Sequence, residues 1–585
     1  MSFACTNLIW AVVARPITIT ISVMGQNNGS GGQVNAGSYK WVALSNTTLG
    51  VLLGFLNISS LILALPVIFR GLKINPLEPG SFNYLLWMLV GYMIVMAVLV
   101  VTFGRLGDMF GRTRMYNLGF LIFTVGAILC SVTWDTGHNG AVELILFRIV
   151  MGVGAAFLFA NSAAIVTDAF PVQQRGFALG LNTVASIAGT FLGIVVGGVL
   201  AEIGWRWVFL VNVPLGLAGT IWAYLSLHEI GKRHAEPIDW FGNLTFAAGL
   251  TMILTGVIYG INPSSHSLMS WNTPFVLFML IGGALLMAAF ALIEMRVAKP
   301  MFKLELFRIR AFAMGNLAGF LSSIARGGLT FLLTIWLQGI WLPMHGYNFE
   351  VTPLWAGIYM IPMSLGFLLA GPISGNLSDR FGARIFATVG MAVAAITFAL
   401  MLLLPVDFDY ISFATLIFLN GMAMGMFISP NIAAIMNSVP EEHRGASSGM
   451  RATLVNVGLP LSIGVFFTLM IIGLNAVVPG EMYSGLVQHQ IPSPVARQLA
   501  DAPAIGYLFA AFLGYNPLAT LIPANVLGSL PPDQVAVITS RTFFPQLITD
   551  AFKDGLVQVL IFCTIVSIAA AVASWLQGNK YYYNG

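Results

Sequence analysis

The chain has 585 residues, 58% of them hydrophobic and only 8% charged, with a mean hydropathy of +0.87 and a net charge of +4. A water-soluble chain carries about a quarter charged residues, so this composition excludes a soluble globular or nucleic-acid-binding protein and calls for lipid as solvent. Cys5, Cys130 and Cys563 are odd in number, far apart and set in apolar surroundings, so neither a disulfide framework nor a metal site is implied.

In chain order, residues 1–44 read as an N-terminal tail or interfacial segment. The apolar stretch 8–24 is broken by Arg15-Pro16; no Lys or Arg precedes it and no cleavage site follows, against a removed signal peptide. A membrane helix needs about 20 apolar residues. That ruler predicts fourteen spans, starting near residues 45, 83, 115, 144, 176, 207, 241, 273, 313, 353, 385, 411, 447 and 554. The predicted organisation is a six-helix bundle over 45–228 and two inserted helices over 229–312. Helices nine to thirteen follow over 313–475, then a loop over 476–553 and a last helix with its tail over 554–585. Short helices capping one mouth are expected in that loop. Alternate loops then separate the cations. Arg105, Arg112, Arg114, Arg175, Arg380, Arg384 and Arg444 fall on one side; Arg70, Lys73, Arg206 and Arg497 fall on the other. The positive-inside rule makes the first side, and both termini, cytoplasmic.

One short pattern occurs twice. Gly104-Arg-Leu106-Gly-Asp108-Met-Phe110-Gly111-Arg112 returns 271 positions later as Gly375-Asn-Leu377-Ser-Asp379-Arg-Phe381-Gly382-Ala383. Pro171-Val-Gln-Gln-Arg175-Gly176 likewise returns as Pro440-Glu-Glu-His-Arg444-Gly445, and Asn161 and Asn431 hold matching places before these loops. A repeat of this kind in a membrane predicts two halves that move against each other around a central site. The spans after Pro237-Ile-Asp239-Trp-Phe-Gly242 are the insertion between them.

These residues resemble the major facilitator superfamily, in particular its fourteen-helix drug/proton antiporter branch. Gly104-x-Leu-x-Asp108-x-x-Gly111-Arg112-x-Arg114 is similar to the signature between helices two and three, and Arg148-Ile-Val-Met-Gly152-Val-Gly154 to that of helix four. The antiporter glycine motif of helix five resembles Gly189-Thr-Phe-Leu-Gly193-Ile-Val-Val-Gly197-Gly198; Trp205-Arg206 through Asn212-Val-Pro214-Leu-Gly216 resembles the start of helix six. The likeness covers about 45–475 and resumes at the last helix. It implies an all-α polytopic fold of two pseudo-symmetric six-helix bundles plus two helices. It also implies a monomer without cofactor or metal that carries a small-molecule or lipid-like substrate through the bilayer by alternating access. Gly189, Gly193, Gly197 and Gly198 would pack helices at the interface of the halves, as in exporters of this family; Ile194 stands where the family has proline, which predicts a straighter helix.

Gating is expected of Gly104, Asp108, Gly111, Arg112 and Asp168, and of Gly375, Asp379 and Gly382 in the second copy. Asp108 is placed to cap a helix N-terminus, and Arg112 and Arg114 to reach Asp168. The predicted cavity residues are Asn57, Arg148, Asn161, Arg326, Gln338 and Asn456. A mid-bilayer arginine costs about 3 kcal/mol to insert, so it needs a cavity or a partner; Arg326 fits that need best, whereas Arg451 lies near enough to one end to reach the surface. The branch has an acid in helix one where this chain has Leu56-Asn57-Ile-Ser59. Asn57 cannot titrate, and no Asp, Glu or His falls near the middle of a predicted span. Asn57 and Arg326, 269 positions apart, are near-equivalents in the two halves. A central arginine without a buried carboxylate favours anionic or amphipathic substrates, while the glycine stripe and the fourteen spans of the resemblance imply export of drugs or lipids across the plasma membrane. Uptake of an organic anion, a membrane-embedded lipid-modifying enzyme and a transport-inactive sensor are the alternatives. His345 with Glu350 and the Asp407/Asp409 pair have no catalytic spacing, and no nucleotide-binding loop is present.

Overall fold

In the computed structural model, fourteen helices among the described residues are long and apolar enough to cross a membrane. They are α1 (Ser38–Gly71), α2 (Ser81–Phe110), α3 (Arg112–Ser131), α4 (Gly137–Ala169), α5 (Ala178–Ile203), α6 (Trp205–Ser226), α7 (Trp240–Gly260), α8 (Pro274–Glu294), α9 (Arg310–Met344), α10 (Thr352–Ser378), α11 (Ala383–Met401), α12 (Tyr410–Asn437), α13 (Ala446–Gln488) and α14 (Thr549–Leu576). The structure describes residues 36–75, 78, 80–230, 239–261, 269–297, 300, 302–440, 443–513, 516–540 and 542–578. The stretch around Arg15-Pro16, the loop at Pro237 and the pair Glu441-Glu442 lie outside these residues, as do the side chains of Arg175, Asp379 and Arg444.

The duplication read from the loops holds for the packing. In the first half α1 lies along α5, α2 and α3 lie on α4, and α3 meets α6. In the second, α9 lies along α13, α10 and α11 lie on α12, and α11 meets α14. The inserted α7 and α8 pack on each other and reach the bundles through α7, which touches α2 and α13. Burial agrees: 83% of the most apolar stretch of α1 is inside the protein, against 17% for α8, so α8 is lipid-facing on almost every side.

The repeated turn is one residue long. Gly111, with φ +111°, separates α2 from α3, and Gly382, with φ +93°, separates the continuous helix Ile361–Phe381 from α11. Only glycine takes such angles without strain, which explains its presence in both copies. We call this the turn end of the molecule.

At the other end the helices overrun the spans read from sequence. Helix α13 is 43 residues long, about 65 Å at 1.5 Å per residue, twice a hydrocarbon core of about 30 Å. It therefore runs past residue 475 to Gln488, because nothing in Asn475–Gln488 stops a helix except Pro479, which is tolerated within it. The expected capping helices follow, among them Ser493–Ala500, Ala504–Phe512, Pro532–Ile538 and Phe543–Leu547. We call this the capped end.

Candidate functional site

Helix α1 and helix α5 meet with no side chains between them on one face. A β-carbon at Gly189 or Gly193 would collide with the carbonyl oxygen of Leu52 or Leu56, and one at Gly197 would stand 2.6 Å from Ser60 Cα. Both sets of partners are spaced by four, so one smooth stripe fits another. Gly198, one position further round, faces the other half instead, where a β-carbon would stand 2.8 Å from Leu354 Cα of α10. The resemblance placed the whole stripe at the interface of the halves; only Gly198 is there, because a four-residue spacing keeps the other three on the α1 face. Helix α5 runs without interruption through Ile194, as expected from the missing proline.

That tight contact sets α1 beside α4, where the polar cluster of the first half is built. Arg148 is 1% exposed. Its Nε donates to the carbonyl oxygen of Met88 at 2.7 Å and its Nη1 to Asn57 Oδ1 at 3.3 Å. Its guanidinium lies 5.3 Å from the Tyr92 ring centre and 6.0 Å from that of Phe209. The buried cation is thus held by a carbonyl, an amide and two ring faces rather than by a carboxylate. Asn57 Nδ2 and Tyr92 Oη are buried and find no hydrogen-bond partner among the described residues.

The second half differs. Arg326 is mostly buried on α9 and makes no hydrogen bond or ion pair with a described residue. Gly327 beside it packs on Leu459 and Ser462 of α13, and the Gly328 amide donates to Ser462 Oγ at 2.6 Å. Arg451, on α13, is also mostly buried, with its Nε buried and without a partner. Asn456 is buried on the same helix. Gln338 is 1% exposed within the π-helical segment Trp336–Trp341 of α9, and neither end of its amide is bonded. Asn161 sits elsewhere: its Nδ2 donates to Phe157 O at 2.9 Å, and its carbonyl presses on Gly107, so it joins α4 to α2 below the repeated turn. Its counterpart Asn431 donates to Gly315 O at 3.1 Å and joins α12 to α9.

At the turn end, Arg112 Nε donates to Asp108 Oδ1 at 2.8 Å and its Nη1 meets Asp168 Oδ1 at 2.6 Å, tying α2, α3 and α4 together. Arg114 is exposed and takes no part in this network. The helix N-terminus expected to be capped by Asp108 is capped by Glu229, which accepts from the Arg112 and Thr113 amides at 3.0 and 3.2 Å. Asp108 is in the last turn of α2, on the wrong side of Gly111 to reach them. Sequence reasoning missed Glu229; its one signal was an acid soon after α6, the helix that packs on α3. In the second copy Ala383 replaces Arg112, and the tie is made by Arg384, whose guanidinium lies 3.6 Å from the Trp575 ring centre of α14. Gly104 and Gly375 have no close neighbour beyond the 3.6 Å approach of Ser429 to Gly375.

A duplicated six-helix unit with a glycine-jointed turn and a central arginine agrees with the comparisons. The Major Facilitator Superfamily model matches residues 47–242 and 237–463. The chain belongs to the major facilitator superfamily. It is 30% identical over 433 residues to the riboflavin transporter RibZ of Clostridioides difficile, covering 73% of this chain and 87% of that one. It is 23% identical over 461 residues to multidrug resistance protein 3 of Bacillus subtilis, covering 75% and 86%. Among solved structures, a bacterial homologue of the human lysosomal transporter Spinster, inward-facing and unoccupied, superposes with a TM-score of 0.55 at 15% identity, covering 93% of this chain and 98% of that one. This member of the superfamily is a multi-pass membrane transporter, not an enzyme.

Proposed function

We propose that this transporter carries anionic or amphipathic small molecules, drugs or lipids, out of the cell by alternating access, with Arg326 as the cation that recognises the substrate. One observation carries the reading: Arg326 lies mid-span, mostly buried, with no described carboxylate to neutralise it. Helix α9 packs on α12, α13 and α14 and touches α1 across the seam between the halves, which leaves the seam as the open side for this charge. An arginine held in a membrane interior without an internal partner is matched by a charge that arrives from outside, and its planar donor fork suits carboxylate, sulfonate or phosphate.

In this reading the protein is a monomer in the plasma membrane with both termini and the turn end cytoplasmic. Two close contacts between the halves, Gly198 with Leu354 and Gly357 with Ile194, join α5 to α10 toward the capped end. In this reading the seam is closed there and opens at the turn end. The 45–228 block and the 313–475 block with α14 rock against each other, and α7 and α8 ride outside them. The paired-off Arg112 network holds the first half rigid as it turns. No carboxylate is described near the middle of a span, so voltage or the substrate gradient, rather than a titrating acid, is the driving force.

Proteoliposomes given a pH gradient and a membrane potential separately test this, with a fluorescent anilinonaphthalene sulfonate and a lipophilic dye cation of similar size as probes. Movement of the sulfonate that follows voltage and ignores pH is expected. Transport of the cation alone, or a full response to pH, contradicts the reading.

A further inference from the structure

The helix Ala504–Phe512, between α13 and α14, is buried along almost its whole length, including Ile505, Tyr507, Leu508, Phe509, Ala510, Ala511 and Phe512. A short surface helix buries one stripe, not its circumference, so this one is inserted between other elements. Its rings say which. Phe509 meets Phe69 at the end of α1 at 5.1 Å between centres and Phe82 at the start of α2 at 6.0 Å. Phe512 meets Phe331 of α9 at 5.4 Å. Phe467 of α13 closes the ring set, 5.2 Å from Phe82 and 5.0 Å from Phe331. The first two partners belong to one half and the last two to the other, and all six phenylalanines are at most 8% exposed.

The side of α9 that receives this helix is irregular. Gly339 lies in the π-helical segment, where a β-carbon would stand 3.1 Å from Ala511 O. The same segment is pinned by Trp336 Nε1 to Val406 O and by Trp341 Nε1 to Phe408 O, both at 3.0 Å. Next to Gly339 is Gln338, buried with neither amide atom bonded. A π segment breaks the regular ladder of a helix and is found at places that change conformation.

We propose that Ala504–Phe512 is a resident gate, an apolar wedge that joins the two halves at the capped end and must leave the seam before that end opens. The wedge sits where the halves separate in an alternating cycle; it meets the first half through aromatic edges, and the second through the Phe512 ring and the close approach of the Ala511 carbonyl to Gly339. Such contacts are lost stepwise, so each ring adds to the free-energy gap between closed and open. The unbonded Gln338 is uncovered in the same motion and offers its amide to whatever passes. This inference concerns the seam and is independent of substrate charge.

The test is sided labelling in intact cells with a membrane-impermeant maleimide, in a background where Cys5, Cys130 and Cys563 are replaced by Ser. Leu63→Cys is the reporter, since Leu63 is buried and touches Gly357 across the seam. Phe509→Ala removes the ring pairs with both Phe69 and Phe82 and should raise its labelling rate from the capped side at least about five-fold. Phe69→Ala removes only one of those pairs and should give a smaller rise, and the double variant should add little to Phe509→Ala alone, because the Phe69 pair is already lost there. Size-exclusion profiles of the purified variants report folding separately. Unchanged labelling in all three folded variants, or fully additive increases, overturns the gate.

Discussion

Arg148 Nη1 donates to Asn57 Oδ1 over 3.3 Å, so the buried charge of α4 is answered by an amide of α1 where the resemblance leads one to expect an acid. In the proposed reading, that one residue decides how the protein is energised. A carboxylate here would be a titrating group next to a fixed cation; an amide holds the cation in place at every pH.

Asn57→Asp should therefore install what is missing. The new carboxylate stands within ion-pair distance of Arg148 inside the membrane, and transport in proteoliposomes should acquire a dependence on the pH gradient that the proposed mechanism does not give the native protein. Asn57→Ala removes a hydrogen bond to a charged group, worth about 1.5–3 kcal/mol, and should lower the midpoint of thermal unfolding in detergent. A pH response unchanged by Asn57→Asp would show that coupling resides elsewhere.

Arg326→Gln should abolish transport of the anilinonaphthalene sulfonate, and Arg326→Lys should keep part of it, since the charge survives but the planar fork does not. Thermal stability should change little or rise in both variants, because no described partner is left unpaired. Equal loss of stability and transport would mark Arg326 as structural.

Much of the fold was legible because lipid imposes strict rules. Apolar length gave the fourteen helices, and the twice-used glycine turn gave the two halves, since a positive φ leaves little choice of residue. Part of the site was legible too: Arg112 does reach Asp168. The partner of the α3 N-terminus was not, because Glu229 comes from a distant stretch and no local spacing announces it. The direction of each glycine in the stripe was also hidden, as a 100° step per residue sends Gly198 to one neighbour and Gly197 to another. The wedge at the capped end was least legible: a run of apolar residues in a loop reads alike whether it covers a surface or fills a seam.

Gly193→Leu offers a check on the α1–α5 contact. Even a β-carbon there collides with the Leu56 carbonyl oxygen, so the helices must part. A cost of about 1–3 kcal/mol or more is expected from overpacking, seen as a lower unfolding temperature and lower yield of folded protein. Gly104→Ala, with open space around the glycine, should be tolerated in stability.

At the turn end, Asp168→Asn weakens one arm of the Arg112 bridge. With side chains 23–27% exposed, the static contribution is about 1 kcal/mol or less. Transport rate should fall far more than stability, by about ten-fold, if the bridge acts in the cycle. Arg112→Ala combined with Asp168→Asn should be no worse than Arg112→Ala alone, a cycle read directly from initial rates.

The most direct measurement of alternating movement is a reversible lock across the seam. A β-carbon at Gly357 of α10 lies 3.3 Å from Ile194 Cγ2 of α5, so cysteines at these two positions come within the span of a disulfide, about 3.5–4.5 Å between β-carbons. In the Ile194→Cys/Gly357→Cys protein, oxidation should stop transport of the sulfonate and reduction should restore it. Undiminished transport by protein shown by mass spectrometry to be cross-linked would contradict two halves parting at this end.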